Sequence, residues 1–475
     1  MRRLANFIDN EFVPAASGAS FDDLDPATEE VLAAVPDSDA KDIDRAVAAA
    51  KRAFPGWSRT PAADRSKLLL KIAGLIERDL DDLAKLESRD SGKPIALARR
   101  LDIPRAMANF RFFATAILHQ TSEAHATDTT ALNYTLRQPL GVAGLISPWN
   151  LPLYLLSWKI APAIAAGNTC VAKPSEMTPL TANRLAELAL EAGIPPGVIN
   201  IVHGRGPKAG AALAAHPDVP LISFTGGTAT GAKIASAAAP LFKKLSLELG
   251  GKNPNLIFAD ADLDQAVPTS IQSGFANQGE ICLCGSRIFV ERKIHDEFLD
   301  RFVAEAKRLR AGDPLDPATE VGALISDAHL QKVTGYIDLA KREGGAILTG
   351  GRRMDRPGYF VEPTVISGLG YDCRVLQEEI FGPVVTVTPF DDEGEAIAFA
   401  NSTRYGLSAS VWTRDLQRAH RVAAAIECGT VWINCWLLRD LRVPFGGMKE
   451  SGVGREGGFE SLNFFTEPKN ICVKL

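Results

Sequence analysis

Cys282 lies in Asn277-Gln278-Gly279-Glu280-Ile281-Cys282-Leu283-Cys284-Gly285-Ser286-Arg287, a glycine-flanked turn between a helical stretch, Leu263 to Ala276, and the apolar run Ile288-Phe289-Val290. A thiol at the end of regular structure is within reach of a ligand. In the sequence 34 residues upstream, Leu245-Ser246-Leu247-Glu248-Leu249-Gly250-Gly251-Lys252-Asn253-Pro254 sets a carboxylate among leucines. Desolvation there raises the carboxyl pKa and suits it to general-base work near neutrality. The pair offers a nucleophile and a base, with Cys284 as the rival thiol.

Such groups need elements to hold them. From about residue 141 short β-rich runs alternate with amphipathic helical ones, the mark of a mainly parallel sheet with helices on its faces. The expected strands are Val142-Ile146, Thr169-Ala172, Val198-Val202, Leu221-Thr225 and Leu245-Leu249, with helices over Tyr154-Ala166, Pro179-Ala192, Pro207-Ala215 and Ala229-Ala238. Residues 41–118 read as mostly helical, with one amphipathic stretch running from Ile95 to His119.

A second alternation follows Gly250: helices over Leu263-Phe275, Ile294-Arg310, Asp327-Arg342, Gly394-Ala400 and Leu416-Glu427, and strands over Arg287-Val290, Ala346-Thr349, Val384-Thr388, Ser408-Trp412 and Thr430-Asn434. Ala131-Leu136 and Lys469-Leu475 alternate like exposed strands and are expected to pair into an arm that invites a second subunit.

Composition narrows the class. A chain of 475 residues is long enough for about three domains. The net charge of −5 leaves no basic field for nucleic acid. The seven cysteines lack a disulfide framework or Cys-x-x-Cys spacing, so neither a disulfide scaffold nor a metal site is indicated, and reduced cytoplasmic thiols are expected. The apolar region from Leu140 to Gly167 is broken by Pro148, Asn150, Pro152, Lys159 and Pro162, and reads as buried core rather than a membrane span.

Phe224-Thr225-Gly226-Gly227-Thr228, Glu248-Leu249-Gly250-Gly251-Lys252, Asn277-Gln278-Gly279-Glu280-Ile281-Cys282, Glu378-Glu379-Ile380-Phe381-Gly382-Pro383 and Pro444-Phe445-Gly446-Gly447 occur in this order. With them the chain resembles the NAD(P)-dependent aldehyde dehydrogenase superfamily along essentially its whole length. The resemblance implies an α/β fold: a Rossmann-like doubly wound NAD-binding domain (1–118 and 140–250), a second α/β catalytic domain (251–450), and a small β oligomerisation arm (119–139 and 451–475). It also implies a homodimer or homotetramer.

Roles follow by the same resemblance. Cys282 attacks the aldehyde carbon, because hydride leaves readily only from a carbon that already carries an alkoxide. Glu248 activates the water that releases the acid, and Lys159 and Glu456 match the family's proton-relay pair. The Asn150 amide and the Cys282 backbone N–H match an oxyanion site whose loss raises a barrier by about 3 kcal/mol.

On the cofactor side, Gly204-Arg205-Gly206-Pro207-Lys208-Ala209-Gly210 has the wrong spacing for a dinucleotide fingerprint and reads as a plain turn. Gly226, Gly227 and Gly231 open a helix whose amides suit a pyrophosphate, although many family members carry a polar residue where Gly227 stands. Trp149 belongs to the same crevice. Lys173 and Glu176 match the residues that bind the adenosine ribose, and a carboxylate there favours NAD over NADP. Glu379 matches the nicotinamide-ribose ligand, and Phe381 packs beside the ring or in the core.

Asn434-Cys435-Trp436-Leu437-Leu438-Arg439-Asp440-Leu441-Arg442 and Asp102-Ile103-Pro104-Arg105 resemble the 2-aminomuconate and 2-hydroxymuconate semialdehyde dehydrogenases. Arg105 and Arg439 are then expected to hold a substrate carboxylate and its neighbouring substituent. Phe445 is expected to line that pocket, and Trp436 either shapes it or fills core. The implied substrate is an acidic unsaturated semialdehyde from aromatic-ring breakdown. A succinic or aliphatic aldehyde is the nearer alternative. A cysteine hydrolase is the more distant one, disfavoured because none of the seven histidines sits in a recognisable protease motif.

Overall fold

The structure, a computed structural model, describes residues 2–475. Its eight-stranded sheet runs Gly452–Val453, Lys244–Glu248, Leu221–Thr225, Val142–Ile146, Thr169–Lys173, Ile199–Ile201, Asn6–Ile8 and Glu11–Val13. The five central strands are parallel, and the outer ones pair antiparallel. Apolar residues on both faces of these strands are covered by helices. Ala40–Trp57 and Thr228–Ala238 pack on one face, and Ala62–Arg78, Ile103–Ala116, Pro152–Ala165 and Leu180–Ala192 on the other. Pro152 starts its helix where a missing N–H costs nothing, and Gly193, at φ 83°, ends Leu180–Ala192 in the left-handed conformation.

The expected helix from Ile95 to His119 is interrupted. Residues Ala98–Asp102 form a π-turn ahead of Ile103–Ala116. Pro104 has no N–H to return to the fourth carbonyl before it, and the wider turn absorbs that loss. The stretch expected from Pro207 likewise begins as a π-turn, Gly206–Gly210.

The seven-stranded sheet runs Ala346–Thr349, Thr364–Ser367, Val384–Phe390, Arg287–Glu291, Pro254–Ile257, Ser408–Trp412 and Thr430–Ile433, and only its first strand is antiparallel. Pro254–Ile257 and Thr364–Ser367 are strands that the sequence reading leaves unassigned. So are the N-terminal ones, Arg2–Arg3, Ser20–Leu24 and Val31–Pro36, which form a small sheet of their own.

Thr466–Lys474 pairs antiparallel with Ala131–Pro139, which pairs in turn with Ala124–Thr127. The segment 451–475, expected to lie wholly in this arm, is divided. Gly452–Val453 extends the eight-stranded sheet because Leu247 and Glu248 offer it an open edge, and only the last strand joins the arm. Residues 140–167 are largely buried, and no helix among the described residues is long and apolar enough to cross a membrane.

Candidate active site

Strand order in the parallel core reverses between Val142–Ile146 and Leu221–Thr225. A reversal of this kind leaves a crevice beyond the carboxyl ends of the strands. Trp149 and Asn150 follow the first strand, Gly226 and Gly227 the second, and Lys173 and Glu248 end two others.

Cys282 reaches this crevice on a tightly held turn. Asn277 and Gln278 take left-handed φ values of 53° and 46°, costly for residues with a Cβ. Local hydrogen bonds offset that cost. Asn277 Nδ2 donates to Glu280 O at 3.1 Å and Asn150 O at 3.2 Å, and Gln278 Nε2 donates to Glu280 Oε2 at 2.8 Å. Gly279, also left-handed, lies so close to the Gly382 carbonyl that a Cβ would sit 2.1 Å from its oxygen. The half-buried Cys282 lines two cavities, of about 370 and 260 Å³. Burial first, and then the Glu379 and Glu248 carboxylates, push its thiol up to about 12, against the pull of Arg439. Cys284 is buried, lines neither cavity, and is likewise pushed up to about 12 by burial.

Glu248 ends its strand on the wall of the larger cavity, and neither carboxylate oxygen has a hydrogen-bond partner among the described residues. Burial raises its pKa well above the ordinary value, and the neighbouring Glu456 raises it further. Lys159, Arg439 and Arg455 oppose that rise. Behind Glu248 runs a buried polar chain. Lys159 Nζ lies 2.8 Å from Ser223 Oγ and 3.1 Å from Glu456 Oε1, and Ser223 and Ser246 donate to that same carboxylate oxygen at 2.9 and 3.3 Å.

Asn150 is buried on the wall of the smaller cavity. Its Nδ2 donates one hydrogen to Glu280 O at 2.9 Å, which leaves the second available. Lys93, which the sequence reading missed, holds the Asn150 carbonyl at 2.9 Å and is itself neutralised by Asp102.

The smaller cavity also contains Trp149, Gly226, Gly227, Glu379 and Phe381. Gly227 caps the helix Thr228–Ala238, and nothing lies within 4 Å of where its Cβ would be, so the helix amides stay open to a ligand. Gly226 and Gly231 are glycine for packing, since a Cβ would press on Phe224 and Leu249 respectively. Burial alone would raise Glu176, yet the Lys173 ammonium 2.7 Å away and the Gly206 N–H hold it below its ordinary value. Burial lowers Lys173.

Glu379 accepts from Gly251 N at 2.9 Å. Phe381 takes a φ of 63° and meets Trp149 edge-on, with ring centroids 5.3 Å apart. Here His329 and Lys332 went unread in the sequence, and His329 Nε2 donates to the Phe381 carbonyl at 2.6 Å. An open helix N-terminus, an ionised carboxylate beside a lysine and a second carboxylate deeper in the crevice together suit a dinucleotide.

Arg105, Arg439 and Phe445 line the larger cavity with Cys282 and Glu248. Neither guanidinium has a carboxylate partner among the described residues, whereas Arg99 pairs with Asp81, Arg111 with Glu77 and Arg442 with Asp440. Arg439 stacks over the Phe445 ring at 3.8 Å. Arg105 and Arg439 both donate to Tyr154 Oη, Arg439 Nη1 at 3.0 Å and Arg105 Nε at 3.3 Å, whereas the exposed Arg100, which also lines the cavity without a carboxylate partner among the described residues, does not. Tyr154, on the helix that Pro152 starts, was missed, and its hydroxyl beside leucines on that mostly apolar helix was the available signal. Trp436, for which the sequence leaves pocket and core both open, does not line the cavity. Its indole N–H donates to Leu283 O at 2.9 Å, so the ring packs behind the wall with Ile281 and Leu407.

A family model described as the aldehyde dehydrogenase family matches residues 12–471. The 2-aminomuconic semialdehyde dehydrogenase of Danio rerio is 58% identical to this chain, covering 99% of it and 98% of the relative. The 2-hydroxymuconic semialdehyde dehydrogenase of Pseudomonas sp. (strain CF600) is 48% identical across 100% of both. The solved NAD+ complex of aldehyde dehydrogenase from Bacillus cereus superposes with a TM-score of 0.98 at 43% identity, covering 100% of this chain and 97% of that one. The chain belongs to the aldehyde dehydrogenase family.

Proposed function

We propose that the protein oxidises an acidic unsaturated semialdehyde, 2-aminomuconic or 2-hydroxymuconic 6-semialdehyde, to the carboxylic acid with NAD. One observation carries the substrate reading. Two arginines without carboxylate partners meet at one phenol oxygen on the wall that also presents Cys282 and Glu248. A guanidinium in a largely apolar pocket is costly until an anion compensates it, and a carboxylate fits its fork. The relatives named for these semialdehydes support the same choice.

In this reading the Cys282 thiol gives its proton to solvent water as the sulfur bonds to the aldehyde carbon, and the carbonyl oxygen becomes an alkoxide received by the free Asn150 N–H and the Cys282 N–H. Bound NAD supplies the hydride acceptor. Glu248 takes a proton from the water that attacks the resulting thioester, the C–S bond breaks, and the acid leaves with the thiol restored. Glu456 and Lys159 carry the proton inward from Glu248. Gly226 and Gly227 would border the pyrophosphate, Lys173 and Glu176 would hold the adenosine ribose, and Glu379 the nicotinamide ribose, in the cavity that Trp149 and Phe381 share, while Gly231 serves the packing behind them.

Residues 1–118 with 140–250 form the NAD-binding domain and 251–450 the catalytic one. The arm strands join subunits of a cytoplasmic homodimer or homotetramer.

Absorbance at 340 nm with NAD and each aldehyde tests the substrate. Arg105→Ala and Arg439→Ala are expected to raise KM sharply for the acidic semialdehyde and to spare a neutral aldehyde. Equal effects on both would refute the clamp.

A further inference from the structure

Tyr154 stands between the two arginines, and its place is fixed from behind. Asn109 Nδ2 donates to the Tyr154 carbonyl at 3.1 Å and to Ser157 Oγ at 3.0 Å, tying the helix Ile103–Ala116 to the first two turns of Pro152–Ala165. Arg105 lies one turn before Asn109 on the same helix. The Tyr154 side chain is 5% exposed and lines the larger cavity.

The phenol oxygen carries one hydrogen to donate and accepts through its lone pairs. Arg105 Nε and Arg439 Nη1 both use it as an acceptor. Its own hydrogen must therefore point away from the two cations, and no acceptor for it exists among the described residues. Two guanidinium groups on the oxygen also polarise the O–H bond and make it a stronger donor. A buried donor of this kind, set in the wall of a cavity, lacks only an anionic oxygen in front of it.

We infer that Tyr154 is a substrate-recognition residue whose hydroxyl donates to a carboxylate oxygen of the acidic semialdehyde, between the two guanidinium groups that pair with the same carboxylate. This rests on the acidic-substrate reading above and deepens it. The site then selects a carboxylate by three converging donors held at fixed spacing. A neutral aldehyde leaves the Tyr154 proton without an acceptor.

Tyr154→Phe keeps the ring and removes the donor. Its KM for the acidic semialdehyde is expected to rise about 10- to 100-fold, the range for losing a hydrogen bond to a charged group, while kcat and the KM of a neutral aldehyde stay near wild type. A second readout needs no turnover: calorimetric titration of the resting protein with the unreactive dicarboxylate cis,cis-muconate, expected to weaken by a similar factor. Incorporating 4-aminophenylalanine at position 154 keeps the ring and puts an N–H donor where the phenol oxygen stands, and it is expected to regain part of the acid preference. It also serves where the phenylalanine variant fails to fold by circular dichroism, and a 4-aminophenylalanine variant without any acid preference then overturns the inference. Unchanged muconate binding in Tyr154→Phe, or an equal rise in KM for the neutral aldehyde, overturns it too.

The two readings fail separately. Wild type that turns over neutral and acidic aldehydes alike defeats the substrate reading itself. Wild type that prefers the acid and loses that preference in Arg105→Ala and Arg439→Ala, yet keeps it in Tyr154→Phe, defeats only the role of Tyr154.

Discussion

Asn253 holds Cys282 by its main chain: its Nδ2 donates to the Cys282 carbonyl at 2.7 Å and also to the Cys284 carbonyl at 2.9 Å. Its Oδ1 in turn accepts from Ser408 N at 3.1 Å, so the amide is anchored in the seven-stranded sheet. Asn253 follows Glu248 by five residues. One short segment therefore carries the carboxylate at one end and steadies the thiol at the other, which ties their relative position to a single turn of chain.

Loss of that anchor should appear as misplacement rather than as lost binding. Asn253→Ala is expected to lower kcat by about 10- to 100-fold, the scale of an ångström-sized error at a reacting group, with a smaller change in KM. Steady-state NADH formation measures this. The alkylation rate of Cys282 by iodoacetamide, which should change in parallel, shows that the thiol itself has moved.

The two neighbouring thiols are expected to separate cleanly. Cys282 lines both cavities and Cys284 neither, although burial raises both to about 12. Cys282→Ser should reduce NADH formation by about a thousandfold or more, as removal of a covalent nucleophile does. Cys284→Ser should leave most of the activity, and mass spectrometry of trapped acyl-enzyme should find the label on Cys282 alone.

The pH dependence follows from Glu248. Its pKa is raised by burial first and by Glu456 second, and a base works only when deprotonated, so hydrolysis of the acyl-enzyme should speed up as pH rises through that raised value. Glu248→Gln should flatten this limb and slow the step by about 100- to 10,000-fold while a first burst of NADH persists. Arg439 pulls the Glu248 pKa down, so Arg439→Met should move the limb to higher pH. Rapid-quench kinetics with a saturating neutral aldehyde keeps the substrate carboxylate out of that comparison.

Much of this arrangement was legible in the chain because local and global preferences agree. Leu263–Phe275, Asp327–Arg342 and Ser408–Trp412 fall where periodicity and flanking residues put them. Pro254–Ile257 was not legible. It is four residues long, opens on proline, and is a strand only because Arg287–Glu291 and Ser408–Trp412 flank it. Tyr154, His329 and Lys332 were missed for a related reason: their meaning lies in partners 50 or more residues away in most cases, such as Phe381 for His329 and Arg439 for Tyr154. Trp436 shows the converse, since an aromatic three residues before Arg439 left pocket and core equally open, and packing behind Leu283 claimed the ring.

The buried pair Lys159 and Glu456 offers a last test, which separates a structural ion pair from a proton path. Both side chains are almost wholly out of water and share Glu456 Oε1 with Ser223 and Ser246. Removing one partner strands the other, so Lys159→Met is expected to destabilise the fold by about 3–5 kcal/mol in denaturant unfolding, and pairing it with Glu456→Gln should restore much of that loss. If the pair were only structural, the restored double variant would also regain the wild-type rate of acyl-enzyme hydrolysis at its own pH optimum and the wild-type solvent isotope effect. A proton path predicts otherwise. Lys159 lowers the Glu248 pKa and Glu456 raises it, so removing both charges leaves a base whose pKa burial still elevates but which has no titrating neighbour to pass its proton to. The double variant should therefore fold with near wild-type stability, turn over more slowly in the acyl-enzyme hydrolysis step, and show a solvent isotope effect different from that of the wild type.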